Sequence, residues 1–152
     1  MEIQNMLGYL LNASARFIKR EMDENIKKYN LTTSQWAVIK LLYNKKELTQ
    51  AQIAEELKSD RATAGNVILN LNEKKYVDKV IGEKDRRTYV ICLTDKAVKI
   101  VDEVELIADE VIKKALKGMD DNQIKALYEG LNNIISNLYE GEGNYESKAR
   151  NI

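Results

Sequence analysis

LTQAQIAEELKSDRATAGNVILNLNEKKYVDKVIGEKDRRTYVICLT, residues 48–94, is the stretch on which the fold turns. Thr49 and Gln52 have the spacing of a capping box, in which a hydroxyl and an amide satisfy two orphan backbone donors of a new helix. Ile53, Ala54 and Leu57 then fall on one face of a short helix. Lys58-Ser59 makes a turn, and Asp60 supplies a carboxylate to the start of a second helix. In that helix Ala64, Val67, Ile68 and Leu71 mark a buried stripe, with Thr63, Asn66, Asn70 and Glu73 opposite.

After Lys74-Lys75 the apolar period changes from about 3.6 to two. Val77, Lys79 and Ile81 alternate with Asp78 and Val80; Tyr89, Ile91 and Leu93 alternate with Val90 and Cys92. Around Gly82–Arg87 these runs read as a hairpin, and Thr94 caps the helix that follows. Helix, turn, helix and ribbon in that order make a winged helix-turn-helix, a shape that lays one helix in a DNA groove.

Outward from this element the chain reads as helical. From about Ile3 to Tyr29, Met6, Leu7, Leu10, Leu11, Phe17, Ile18, Met22 and Ile26 recur at steps of three and four, which predicts one long amphipathic helix. Its apolar face broadens at the N-terminal end, where Tyr9 joins in. Burial against a second chain explains that breadth; a central helix in a monomeric bundle is the alternative. Thr32 and Gln35 repeat the capping box before a helix carrying Trp36, Ile39, Leu42 and Tyr43, and Asn44–Glu47 reads as a polar connector. Beyond Thr94, Ala97, Val101, Val104, Ala108, Val111 and Ala115 form a narrow seam that predicts one helix from Asp95 to about Lys117. Gly118 ends it. Asp120 with Gln123 opens a last helix with the stripe Ile124, Leu127, Leu131, Ile134 and Leu138, before a polar tail from Gly141 that is expected to fray.

The expected architecture is mainly α with a small β wing. A dimerisation helix spans residues 1–30, the winged helix-turn-helix 31–94, two further dimerisation helices 95–140 and a tail 141–152. Length, at 152 residues, allows one such unit. Charged residues make up 32% of the chain and no apolar run approaches the ~18 residues that span a bilayer, so the expected location is the cytoplasm. The chain has no histidine and one cysteine, and no nucleophile and base stand in a catalytic spacing. These features argue against an enzyme, a multi-cysteine metal site and a cofactor. Net charge is zero but unevenly spread. Residues 58–87 hold eight Lys/Arg against five Asp/Glu, and residues 95–152 hold eight against twelve, which fits a confined phosphate-contacting region.

Asp85, Arg87, Leu93 and Thr94 fit D-x-R-x5-L-T, which resembles the wing signature of the MarR family of transcription regulators. The likeness continues in order through LTTSQWAVIKLL, LTQAQIAEEL, DRATAGNVILNLNEKK and the long C-terminal helices. It implies a homodimer whose first and last helices intertwine, acting on a pseudo-palindromic operator with half-sites about one helical turn apart. By that resemblance the helix from Asp60 enters the major groove. Arg61, Ala62, Thr63, Asn66 and Asn70 are then the base-proximal candidates, Arg61 being equally suited to a phosphate. Thr49 and Gln50 fall where the preceding helix meets the DNA backbone. Lys84 and Arg86 project into a minor groove, while Asp85 and Arg87 pair to hold the tip.

Two positions depart from the family pattern. Gly65-Asn66 stands where relatives often have Thr or Ser followed by Arg, and Lys75 replaces a glycine after the reading helix. Gly65 either permits close backbone approach to DNA or loosens the helix; Lys75 must make a turn that favours positive φ. The resemblance also implies a small aromatic or phenolic effector, for which Arg16 and Arg20 would receive a carboxylate between walls of Trp36 and Tyr43. Against that, Trp36 reads as core and the arginines as surface charges or ion-pair partners. Cys92 lacks the early-helix position of oxidation-sensing relatives and reads as a small hydrophobe. The competing function is a helical dimeric adaptor whose winged helix does not read DNA.

Overall fold

The computed structural model describes residues 1–139; the polar tail expected to fray lies outside them. Seven helices and a three-stranded antiparallel sheet make up the described chain, in the order α1 (Leu7–Ile26), α2 (Thr33–Lys45), β1 (Glu47–Leu48), α3 (Gln50–Glu56), α4 (Arg61–Glu73), β2 (Val77–Ile81), β3 (Tyr89–Leu93), α5 (Asp95–Val98), α6 (Val101–Ala115) and α7 (Asp121–Leu138). This is a mainly helical fold with a small β wing.

Side chains define most helix starts. Thr32 Oγ1 accepts from Gln35 N at 3.3 Å and Gln35 Oε1 accepts from Thr32 N at 3.1 Å, closing the capping box of α2. Asp23, reaching across from α1, accepts from the Thr33 amide at 2.7 Å and ties the first two helices together. Gln35 is buried, and Lys74 Nζ donates to its Oε1 at 2.9 Å, so a polar side chain in the core is satisfied from α4's end. Thr49–Gln52 and Asp120–Gln123 close the boxes of α3 and α7.

The core lies where α1, α2, α4, the sheet and α6 meet. Ile26, Ile39, Ile53, Leu71, Val101 and Val104 are all 0% exposed there, joined by Leu42, Val77 and Ile91. In the wing, β2 pairs β3 from Val77↔Leu93 to Ile81↔Tyr89. Only its base is buried: Val77 and Ile91 are covered, whereas Ile81 and Tyr89 are more than half exposed.

Four expectations are corrected. The first helix is not continuous from Ile3 to Tyr29. A 3-10 turn at Ile3–Asn5 and an extended Met6 precede α1, and a second 3-10 turn, Lys27–Tyr29, follows it. Residues 1–6 are all exposed, so no burial extends the helix into them, and α1 starts at Leu7 without a side-chain cap. The connector after Tyr43 is not wholly irregular: α2 runs to Lys45, and Glu47-Leu48 form β1 against Cys92 and Ile91 of β3. The seam helix is broken at Lys99-Ile100, where the Ile100 amide bonds the Ala97 carbonyl three residues back. Val98, Ile100 and Val101 are β-branched and weaken the helix there, while Ala97 and Val101 stay fully buried on either side. Burial of the seam ends at Val111, and Ala115 is exposed.

Candidate nucleic-acid interface

Asp60 organises the start of α4. Its Oδ1 accepts from the Thr63 amide at 2.7 Å and its Oδ2 from the Thr63 hydroxyl at 2.8 Å. Those two bonds, the amide first, hold the Asp60 carboxyl below the usual carboxylate range. Because the Thr63 hydroxyl proton is committed to the cap, Thr63 offers its methyl and its lone pairs outward.

The packing of α4 then decides what it shows. Ala64, Ile68 and Leu71 are buried, which leaves Arg61, Ala62, Thr63, Asn66 and Asn70 exposed. Neither Asn66 nor Asn70 uses its side chain in a hydrogen bond with another described residue, so both amides are available for a bidentate contact. Leu69 belongs with them. It is 55% exposed, one residue before Asn70 and three after Asn66. Its signal in the sequence is an apolar residue outside the buried stripe, and sequence reasoning passed over it.

At Gly65 the Gln50 side chain reaches from α3 over α4. A Cβ there would lie 2.7 Å from Gln50 Nε2, and that amide also donates to the Arg61 carbonyl at 3.4 Å. The space over Gly65 is taken in this structure by the end of the exposed Gln50 side chain from α3. Gln50 lies along α4, and Thr49 is half-buried with its hydroxyl oxygen capping α3. Between the helices Lys58 adopts φ 54°, and after α4 Lys75 adopts φ 64°, both in the left-handed region that favours glycine.

At the wing tip Asp85 acts mainly on backbone. Its Oδ1 accepts from the Arg87 amide at 3.0 Å, and its carbonyl accepts from the Thr88 amide and hydroxyl at 3.1 and 2.9 Å. The Arg87 guanidinium reaches the same Oδ1 at 3.3 Å but is 91% exposed, where an ion pair adds little. Gly82 suits the close approach here, since a Cβ would stand 3.1 Å from the Asp85 carbonyl oxygen, tighter than an ordinary contact. Lys84 and Arg86 are exposed on this shaped tip.

A model of the MarR family matches residues 29–88. YwoH of Bacillus subtilis strain 168, an uncharacterized HTH-type transcriptional regulator, is 30% identical over 104 residues, covering 68% of this chain and 75% of the relative. The chain belongs to the MarR family. It is also similar to the organic hydroperoxide resistance transcriptional regulator of the same organism, at 23% identity over 140 residues, 92% of this chain and 94% of that one. Its fold matches MepR of S. aureus in complex with DNA with a TM-score of 0.78, at 24% identity over 89% of this chain and 98% of that one. MarR-family chains are transcription regulators and not enzymes.

In this MarR-family chain the four residues expected to hold an effector have different surroundings. Trp36 is 8% exposed and belongs to the core; Tyr43 lies under the ammonium groups of Lys40 and Lys46. Arg16 and Arg20 both stack on Phe17, on an exposed face of α1. An open groove of about 400 Å³ runs between α1 and α6, lined by Glu21, Leu106, Ile107, Glu110, Val111 and Lys114 among others. Cys92 is half-buried and faces Asp78 and Glu47 across the sheet. Burial first, then those two carboxylates, push its thiol up, which is the opposite of the electropositive setting that activates a cysteine. No helix of the described residues is long and apolar enough to cross a membrane.

Proposed function

We propose that this chain is a sequence-specific DNA-binding repressor, acting in the cytoplasm as a homodimer on a pseudo-palindromic operator. Residues 31–94 read DNA, and the helices on either side pair the two copies. The observation that carries this is the division of α4: one face is locked into the core through Ala64, Ile68 and Leu71, and the other holds out Ala62, Asn66 and Asn70 from a capped start. In the proposal that outer face lies in the major groove, Thr49 and Gln50 meet the backbone, and Lys84 and Arg86 enter the minor groove.

Support for the homodimer comes from apolar surface. Leu7, Tyr9 and Leu10 of α1 and Leu127, Tyr128, Ile135 and Leu138 of α7 are all more than a third exposed. No residue of α7 is buried. In the proposal a small aromatic effector is received through Arg16 and Arg20, both exposed and suited to a carboxylate, with Trp36 and Tyr43 as apolar walls.

Titrating salt against binding to random duplex tests the core of this proposal. Counterion release makes the logarithm of affinity fall linearly with the logarithm of salt. A protein-binding adaptor gives no binding even at low salt. On a selected operator, Asn66→Ala combined with Arg86→Ala is expected to weaken binding about tenfold or more; unchanged affinity would remove these residue roles.

A further inference from the structure

At its C-terminal end α7 touches the reading head. Leu138 closes the helix, and Tyr139 turns into extended backbone, φ −71° and ψ 128°, while its amide still bonds the Ile135 carbonyl at 2.8 Å. From there its hydroxyl donates to Glu55 Oε2 at 2.8 Å, and the Lys58 ammonium stands 4.7 Å from its ring centroid. Glu55 is in the last turn of α3. Lys58 is the left-handed residue of the joint, three positions before α4 begins. One of the joint's own backbone bonds, Lys58 N to Glu55 O, links the two residues that Tyr139 holds, and the bond from Ser59 N to Ala54 O lies beside it.

Along the rest of its length α7 makes no comparable tie among the described residues. Its side-chain bonds, Lys125 to Glu129 and Asn132 to the Tyr128 carbonyl, stay inside the helix, as does the Asp120–Gln123 cap. Its other end follows Gly118, whose φ of +90° is open to glycine and strained for other residues. The helix is thus a strut, pivoted at Gly118 and pinned at Tyr139.

We propose that Tyr139 is a positioning residue that pins α7 to the joint of the helix-turn-helix, so that the direction of this helix sets the separation of the two reading helices. The separation part rests on the homodimeric DNA-binding function proposed above; the pin itself does not. In a symmetric dimer built on α7, any rotation of the reading head about the strut moves both α4 helices and changes the half-site spacing they match. Tyr139 restrains that rotation through its hydrogen bond to Glu55 and its ring contact with Lys58.

Two measurements test the pin. In the free protein, Tyr139→Ala is expected to speed hydrogen exchange at the Lys58 and Ser59 amides about fivefold, with Tyr139→Phe, which keeps the ring over Lys58, in between. On operators whose half-sites are moved one base pair apart or together, Tyr139→Ala is expected to lower discrimination against the wrong spacing by a similar factor. If Tyr139→Ala alters the dimer mass, Tyr139→Phe carries both measurements. Unchanged exchange overturns the pin, and unchanged discrimination overturns its role in spacing. A wild-type chain that binds no duplex defeats the DNA-binding proposal instead, and the exchange result still judges the pin.

Discussion

The winged region and α7 begin alike and end differently. Both open on a capping box and both carry an apolar stripe at helical spacing. In the winged region the stripe is covered by the same chain, with Ile53 and Leu71 at 0% exposure. In α7 none of 18 residues is buried, and Leu127, Ile135 and Leu138 face outward. Caps and periodicity are therefore enough to start a helix, but covering its stripe is a separate tertiary event. For α7 that cover has to come from outside the described chain, which is why a second copy enters the proposal.

Breaking the covered stripe and the uncovered one should give different outcomes. The largest effect is expected at α7. Leu127→Glu with Ile135→Glu places two carboxylates in the proposed dimer interface, and sedimentation should show self-association weakened at least about a hundredfold. The winged core should lose little, since neither residue packs in it. The same mass for variant and wild type would place the interface elsewhere.

Inside the covered stripe, Leu71→Ala removes a side chain at 0% exposure and is expected to cost about 3 kcal/mol of folding stability, read by denaturant unfolding. A cost near zero would mean that the core does not depend on α4. Smaller and of opposite sign is Lys75→Gly. Relieving φ 64° at a non-glycine residue is expected to add about 1 kcal/mol, read as a melting temperature higher by a few degrees.

The last expected effect is a shape with pH. Asp60, lowered by the Thr63 amide and hydroxyl, contributes stability that is present above its unfolded value and lost as pH falls through its lower folded value. Asp23 behaves alike: burial opposes its ionisation, but the Thr33 hydroxyl and amide outweigh that and leave its carboxyl lowered. Stability should therefore decline below about pH 4. Asp60→Asn, which keeps an acceptor at the cap, should flatten that decline in acid-unfolding curves.

What could be read from the sequence follows the range of each interaction. The boxes at Thr32, Thr49 and Asp120 are local spacings, and the structure closes each as expected. The hairpin register is similarly local, set by two alternating runs and a short tip. β1 was missed because two residues carry no periodicity and become a strand only by pairing with Cys92 and Ile91 far along the chain. The break at Lys99-Ile100 was hidden because the seam keeps its spacing across it. Gly65 and Leu69 show the same limit within the candidate site: the Gln50 side chain lies over one, and the other falls outside the face of α4 that Ala64, Ile68 and Leu71 bury. Neither arrangement is encoded in its immediate neighbours. Arg16, Arg20, Trp36 and Tyr43 were grouped by type and approximate position, and the core claimed Trp36.

Selection of bound sites from a random DNA pool by the full chain tests the central claim most directly. The account predicts enrichment of a two-fold symmetric site with half-sites about one helical turn apart. A pool that shows no enrichment, or that converges on a site without two-fold symmetry, would contradict it.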